Sequence, residues 1–516
     1  MKCYILPIGG TGIRVMRSLV HLCAAGCFNQ TPNFSGFKVM CVDSDGANGD
    51  KEVLKETLGS YGALQKEAAT LLPEIEMGGE NGIWSPLPEQ TEHMDELIHS
   101  GQMSDDVQDV YQFLYTKEER NKKLKGGFYG HTSIGSYFIT RELVDDNLAV
   151  KFDAAWDNFF GGITADDRIF IIGSMFGGTG ASGIPSISRI LKQMPLTKNT
   201  PIGAALVMPY FRPSDAEERP GGNPLAIDWQ TFNTKAQAAL SYYMDQGFDS
   251  VFRRMYFIGE MQDRFMYVKN AEDGPAQRNK AHVIEAHAAA FLADFFQADD
   301  VFRVRFYGLK EVEKIYDKQR INAYISSEML NTVTENANIF DKLTDFFLFS
   351  SLYVKYLYHS IAAGGAACEG DWVKKLEKGD NSKIEEQANK AAYRYCEKFV
   401  NWMRELLAET DGKGVTLYAK NNPAVFWLQS AGNYAELYRC SELSNSNANK
   451  KGIKRYDAKA LEFFQTVVKD EFEGRARRHS GGEIIARLSN VKAKAAATQP
   501  MALFMSRVLG LCGKYR

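Results

Sequence analysis

The stretch that most restricts the fold is residues 167–190, DRIFIIGSMFGGTGASGIPSISRI. An apolar run of strand character leads into a glycine-rich turn, and apolar residues at helical spacing follow. Strand, glycine loop and helix in that order build a phosphate cradle. Glycines let backbone N–H groups approach phosphate oxygens, and the helix start adds partial positive charge. Gly178, Gly180 and Gly183 spell G-x-G-x-x-G, the dinucleotide fingerprint. That fingerprint requires an acidic residue about 20 positions on, at the end of the next strand. Here the next strand, IGAALVM (202–208), runs into VMP with no acid.

A second loop of the same kind, PIGGTGIR (7–14), brings Gly9, Gly10, Thr11, Gly12 and Arg14. The acid exists there, because FKVMCVDSD places Asp43 and Asp45 at a strand end, but Val15 stands where the third glycine belongs. Neither loop ends in Lys-Ser/Thr, which argues against a P-loop. Each satisfies half of the dinucleotide pattern. Read together, they suit one mononucleotide cradled by two loops from strands far apart in sequence. An NAD(P)- or flavin-dependent oxidoreductase using the first loop and Asp43 is the alternative.

The first 300 residues alternate strand-like and helix-like segments. CYILPI, FKVMCV, DRIFII, IGAALVM and VFRRMYFI read as strands, and IRVMRSLVHLCAA and NTKAQAALSYYMDQ as helices. That order implies an α/β fold with a Rossmann-like parallel sheet, whose ligands bind at the carboxyl ends of the strands. Residues 1–278 form the expected nucleotide-binding domain, with an insertion at about 60–125. A long central helix is expected over 279–300, and a mainly helical C-terminal domain over 301–516. In that domain KIEEQANKAAYRYCEKFVNWMRELLA (383–408) carries the stripe Tyr395, Phe399, Val400, Met403, Leu406 and Leu407, expected to be core. GVTLYA and PAVFWL (414–427) read as a pair of strands, and FRVRFY (302–307) alternates like one.

A net charge of −3 over 516 residues does not indicate nucleic-acid binding. The charge is uneven: residues 473–516 hold nine Lys/Arg against Glu473 and Glu483, a net of +7, which leaves −10 for the rest. Such a tail can dock a protein partner or a second copy. The eight cysteines form no C-x-x-C pair, so a reducing compartment and no metal site are expected. The stretch 345–367 is interrupted by Asp345, Lys355 and His359 and reads as a core helix, not a membrane span. With no signal-peptide pattern at the N-terminus, a cytoplasmic protein is expected.

Several segments, in order, resemble the tubulin/FtsZ family, and most closely its divergent bacterial tubulin-like members. RIFIIGSMFGGTGASGIP resembles the signature loop, with Gly177-Gly178-Thr179-Gly180 as its core and Pro185 in step. YILPIGGTGIRVMRSLV looks like the family's first loop, and Asp45 in VMCVDSDGAN matches the aspartate that ends its second strand. GFYGHTSIGSYFITREL (127–143) is similar to the third loop, where Gly130 and Gly135 precede a helix and backbone amides face the terminal phosphate. The resemblance implies GTP and GDP with Mg²⁺ as ligands and head-to-tail assembly into filaments. It implies nucleotide contacts from Gly9, Gly10, Thr11, Gly12, Arg14, Asp43, Asp45, Gly130, His131, Gly177 to Gly180 and Ser182, with Glu260 and Asn279 as acceptors for the guanine edge. Phe176 and Ser182 stand where the family usually has glycine. The family's acidic loop, Asn-x-Asp-x-x-Asp, which completes hydrolysis on the next subunit, is not found. Asp299 and Asp300 lie in its neighbourhood and are the catalytic candidates. A third reading is a non-hydrolysing adaptor that binds a partner through the helical half and basic tail.

Overall fold

The computed structural model describes residues 1–45, 48–78, 82–87, 93–98, 100–121, 124, 128, 130–145, 147, 149–212, 229–259, 266–267, 278–307, 339–362, 384–407, 477–478, 484, 487–488 and 499–515. Among the described residues nine strands form one sheet: β1 (Lys2–Ile8), β2 (Gly36–Val39), β3 (Cys41–Val42), β4 (Ile75–Met77), β5 (Ile83–Trp84), β6 (Arg168–Ser174), β7 (Ile202–Val207), β8 (Arg254–Ile258) and β9 (Arg303–Tyr307). Every pairing in it is parallel. The order is β9-β8-β7-β6-β1-β2-β4. β3 extends this ladder beside the end of β1, with Val42 opposite Ile8, and β5 pairs with β3.

Both faces of the sheet are buried, as an all-parallel sheet requires. Alternate residues of each strand divide between two cores. Cys3, Ile5, Phe170 and Ile172 face one, and Tyr4, Leu6, Ile169 and Ile171 face the other. On the first face lie α1 (Gly9–Ala24) and α2 (Gly49–Glu67). On the second lie α3 (Thr132–Leu143), α4 (Ala154–Phe160), α5 (Gly178–Gln193) and α6 (Trp229–Asp245). α7 (Val283–Phe296) joins the first face; Phe291 stacks on Tyr256 with ring centroids 4.9 Å apart, and Phe295 packs on Phe170. The sequence places the central helix over 279–300 as a divider between domains. In the structure the helix is shorter and is a crossover: the chain returns to the sheet as β9, parallel to β8. The boundary expected at 301 therefore falls inside the sheet.

Beyond β9, α8 (Ile339–Leu352), α9 (Glu386–Leu407) and α10 (Pro500–Cys512) share the first core as a further layer. Tyr395, Phe399, Trp402 and Leu406 of α9 are buried, while Val400 and Met403 are only partly so. α9 packs against α2 and α8, and its aromatic stripe also reaches α1. His21 stacks on Trp402 at 4.7 Å and its Nδ1 lies 3.1 Å from the Tyr395 hydroxyl. Trp402 Nε1 donates to Ser18 at 3.3 Å, and Arg17 grips Glu405 at 2.7 and 3.0 Å. Cys23 and Cys27 are buried in this core. The apolar segment from 345 continues α8 through a π-helical turn at Tyr353–Leu357, and Phe346 to Phe349, Leu352 to Val354, Tyr356, Leu357 and Ile361 are core. Among the described residues no helix is long and apolar enough to cross a membrane. The strand pair expected at 414–427 lies outside the described residues.

Trp402 is fully buried at the centre of this seam. Trp402→Ala is expected to cost about 3–5 kcal/mol. A urea titration should show a lower midpoint with an unchanged slope.

Candidate functional site

The chain order of the strands reverses between β1 and β6. From β1 the chain winds outward through β2 and β4; from β6 it winds the other way through β7 and β8. The loops leaving β1 and β6 at their carboxyl ends must therefore diverge, and a crevice opens between them. α1 begins there at Gly9 and α5 at Gly178. Neither start has a side-chain cap or an acidic residue in its first turn. Their first N–H groups consequently point into the crevice with uncancelled partial positive charge.

The two starts nearly touch. Gly9 has φ +71°, and a Cβ on it would lie 3.3 Å from the Gly180 nitrogen and 3.4 Å from the Thr179 Cβ. Gly178 is closed from the opposite side by the third loop, where a Cβ would lie 2.8 Å from both the Gly130 nitrogen and the Phe128 Cβ. Gly10 and Gly177 are the half-exposed lips, and Thr11, Gly12, Thr179 and Gly180 lie deeper. The segment after β3 closes the crevice at one end, where the Ser44 hydroxyl lies 3.0 Å from that of Thr179. Three loops expected from the sequence thus meet at one place, and Ser44 joins them.

Other expected residues have different partners. Asp43 is buried against Lys51 at 3.5 Å and accepts from Asn48 at 3.4 Å. Burial raises its pKa, and Lys51 opposes that rise. Lys51 also donates to the Asp45 carbonyl. The Ser182 hydroxyl donates back along its own helix to the Gly178 carbonyl at 2.6 Å and faces α3, where it would crowd any Cβ on Gly135. His131 pairs with Glu119 at 2.8 Å. Phe176 points away from the crevice into the core, edge-on to Phe211 at 5.7 Å. Its side chain therefore leaves the cradle wall to backbone.

Arg14 lies beneath the first loop, 7% exposed, at the centre of a buried polar cluster. Its Nε sits 2.8 Å from Glu285, and its Nη atoms reach the Tyr210 hydroxyl and, at 3.8 Å, Asp50. Tyr210 donates to Glu285 at 2.6 Å. Asp50 accepts from both the backbone and the side chain of Asn279, each at 2.8 Å. Asn279 is thus fixed beside the first turn of α2. His282, and not Asn279, caps α7: its Nδ1 accepts the Ile284 N–H at 3.1 Å. Glu260 lies outside the described residues.

Asp299 and Asp300 sit at the opposite edge of the sheet, at the starts of β8 and β9. Asp299 bridges Arg254 at 2.5 Å and Arg303 at 2.6 Å, and Asp300 faces Arg253 at 3.2 Å. They cannot reach the crevice of their own chain. Among the described residues no group of three His, Cys, Asp or Glu side chains is arranged to hold a metal ion. An open groove of about 1010 Å³ between α2 and α9 is lined by exposed side chains of both signs, such as Glu56, Lys66, Lys390 and Arg394, with no converging polar set.

No family model, curated protein or solved structure matches the chain.

His282 supplies a pH prediction. Burial, with Arg14 and His287 nearby, lowers its pKa from 6.5 to about 3. Between those values the unfolded chain takes up a proton that the folded chain refuses. The stability contributed by neutral His282 is therefore complete above pH 6.5 and is lost as pH falls toward 3. His282→Asn keeps an acceptor for the cap and removes the titration. Relative to that variant, the native protein should lose up to about 1.4 kcal/mol per pH unit below 6.5. Urea midpoints at pH 7.5 and 5 measure the difference, and a constant offset would contradict it.

Proposed function

We propose that the chain is a nucleotide-binding protein of the tubulin/FtsZ kind, taking GTP and GDP with Mg²⁺ and assembling head to tail with copies of itself. The observation that carries this reading is the pair of uncapped glycine helix starts at the reversal of strand order, closed by a third loop at Gly130. Two such starts supply more N–H donors than one loop can, which suits a chain of phosphates. The preference for guanine rests on the ordered motifs in the sequence. A Mg²⁺ held mainly by phosphate oxygens needs few protein ligands, and Thr179 and Asp45 offer them. Asn279, held by Asp50, borders the same edge of the sheet and can present its carbonyl to a base.

Head-to-tail assembly would set the β8–β9 edge of one copy against the crevice of the next, a heterologous contact that builds filaments. Hydrolysis, where it occurs, would then involve Asp300 from the neighbouring copy. The dinucleotide alternative asks Asp43 to hold a ribose, but that carboxylate is turned to Lys51 and Asn48.

The test starts with the nucleotide that co-purifies, identified by absorbance and mass, followed by light scattering and sedimentation with GTP and with GDP. A guanine nucleotide and GTP-dependent assembly are expected. Gly178→Ala should weaken nucleotide binding by about tenfold or more, because its Cβ forces the third loop away from α5. A folded protein that binds neither nucleotide and does not assemble at high micromolar concentration would sink the proposal.

A further inference from the structure

We propose that the helix Asp105–Leu114, between β5 and α3, is a self-docking surface that pairs antiparallel with the same helix of a second copy of this chain. The proposal does not depend on the nucleotide reading. One side of the helix is anchored. Tyr111 is buried with Leu87, Met94 and Phe128, its hydroxyl donates to Asp95 at 2.8 Å, and the Arg120 guanidinium lies over its ring. Tyr115, one turn on, packs on Tyr111 with ring centroids 5.4 Å apart.

The other side carries an apolar stripe in solvent. Val107, Val110 and Leu114 follow i, i+3, i+7 spacing and are each more than half exposed, and Phe113 beside them is 87% exposed. These are four of the seven large apolar side chains exposed among the described residues. Single exposed apolar residues are ordinary. Four on one ten-residue helix form a contiguous patch, and such patches mark contact surfaces.

Charge selects the occupant. Asp105, Asp106 and Asp109 are exposed and lie in the first half of the helix. The second half, Val110 to Leu114, carries no charge, and the exposed Lys117 follows three residues after its end. An element that is acidic at one end and apolar, then basic, at the other is complementary to itself when reversed. A parallel pair would set the aspartates of both copies side by side. An antiparallel pair separates them by most of the helix length, about 15 Å, and opposes the two helix dipoles favourably. A two-fold axis near Val110 sets Val107 of one copy across from Leu114 of the other and brings Lys117 toward Asp105 and Asp106. The contact is isologous. A lipid surface matches poorly, because helices that lie on membranes carry Lys and Arg on the polar face and anionic headgroups repel carboxylates. Two short helices offer less than the roughly 800 Å² per partner of a standard interface, so the dimer is a weak, reversible one.

Sedimentation equilibrium of the full-length protein without added nucleotide, from about 10 µM to about 1 mM, should show monomer–dimer exchange. Phe113→Ser should weaken it about tenfold or more with the urea midpoint unchanged, because that side chain is in solvent in the monomer. Asp106→Lys should also weaken it, and adding Lys117→Asp to that variant should recover most of the loss, as an antiparallel pair requires. A monomer throughout that range would overturn the proposal. So would a dimer that Phe113→Ser leaves intact, which would place the contact elsewhere, or a double charge variant no tighter than the single one. A monomer that instead binds phosphatidylcholine vesicles would show a lipid occupant and overturn it too.

Discussion

The close approach of two helix starts is the constraint on which the rest of the molecule depends. Gly9 and Gly180 meet so closely that a Cβ on Gly9 would lie 3.3 Å from the Gly180 nitrogen, and Gly9 does so from the left-handed region of backbone space. That contact is possible only because β1 and β6 are neighbours, six residues deep in register, while their outgoing connections diverge. The sheet order creates the crevice, and the glycines keep it narrow enough for backbone N–H groups from both sides to act on one ligand. Side chains take little part in the walls. Phe176 and Ser182 illustrate how this is arranged: one is packed into the core and the other bonds its own helix.

A backbone cradle is useful only if its walls are held still, and the cluster around Arg14 does that. One guanidinium joins α1 to the first turn of α2 through Asp50, to the segment after β7 through Tyr210, and to the first turn of α7 through Glu285. Each of these elements borders the crevice or leads into it. Burying such charges is costly, and it is tolerated when the remaining donors and acceptors are satisfied. Here Glu285 also accepts the His282 N–H at 3.0 Å and Asp50 accepts twice from Asn279, whereas the buried Arg14 Nε and His282 Nε2 make no well-aligned hydrogen bond among the described residues. The cluster is therefore less a source of net stability than a means of fixing which geometry is adopted.

Much of the architecture was legible in the sequence because local patterns and global fold agree. Continuous apolar runs between glycine loops specify buried parallel strands, and the sheet contains the five strand segments read that way. The meeting of the three loops was likewise legible, since each carries glycine at a strand-to-helix junction. What was hidden has two causes. The course of α7 was hidden because apolar residues spread around most of a helix do not announce which surface covers it, whether a domain boundary or its own sheet. The partners of Arg14 were hidden because long-range ion pairing leaves no periodic trace; Arg14 and Glu285 are 271 positions apart in the chain (285 − 14).

The acidic pair at 299–300 shows where family resemblance and physical chemistry must be weighed against each other. A carboxylate that orients or activates water needs free lone pairs and a modest affinity for protons. Asp299 is shared by two guanidinium groups, and its hydrogen bond to Arg254 foremost holds its pKa below the usual carboxylate range. That makes Asp299 a poor proton acceptor and a good clamp. It ties the buried Arg254 at the start of β8 to Arg303 at the start of β9, and so anchors the return of the chain to the sheet after α7. Asp300 differs: its side chain is 98% exposed, and it faces Arg253 at 3.2 Å. The two neighbouring aspartates thus divide their roles by environment. One belongs to the fold, and the other stays in solvent beside Arg253.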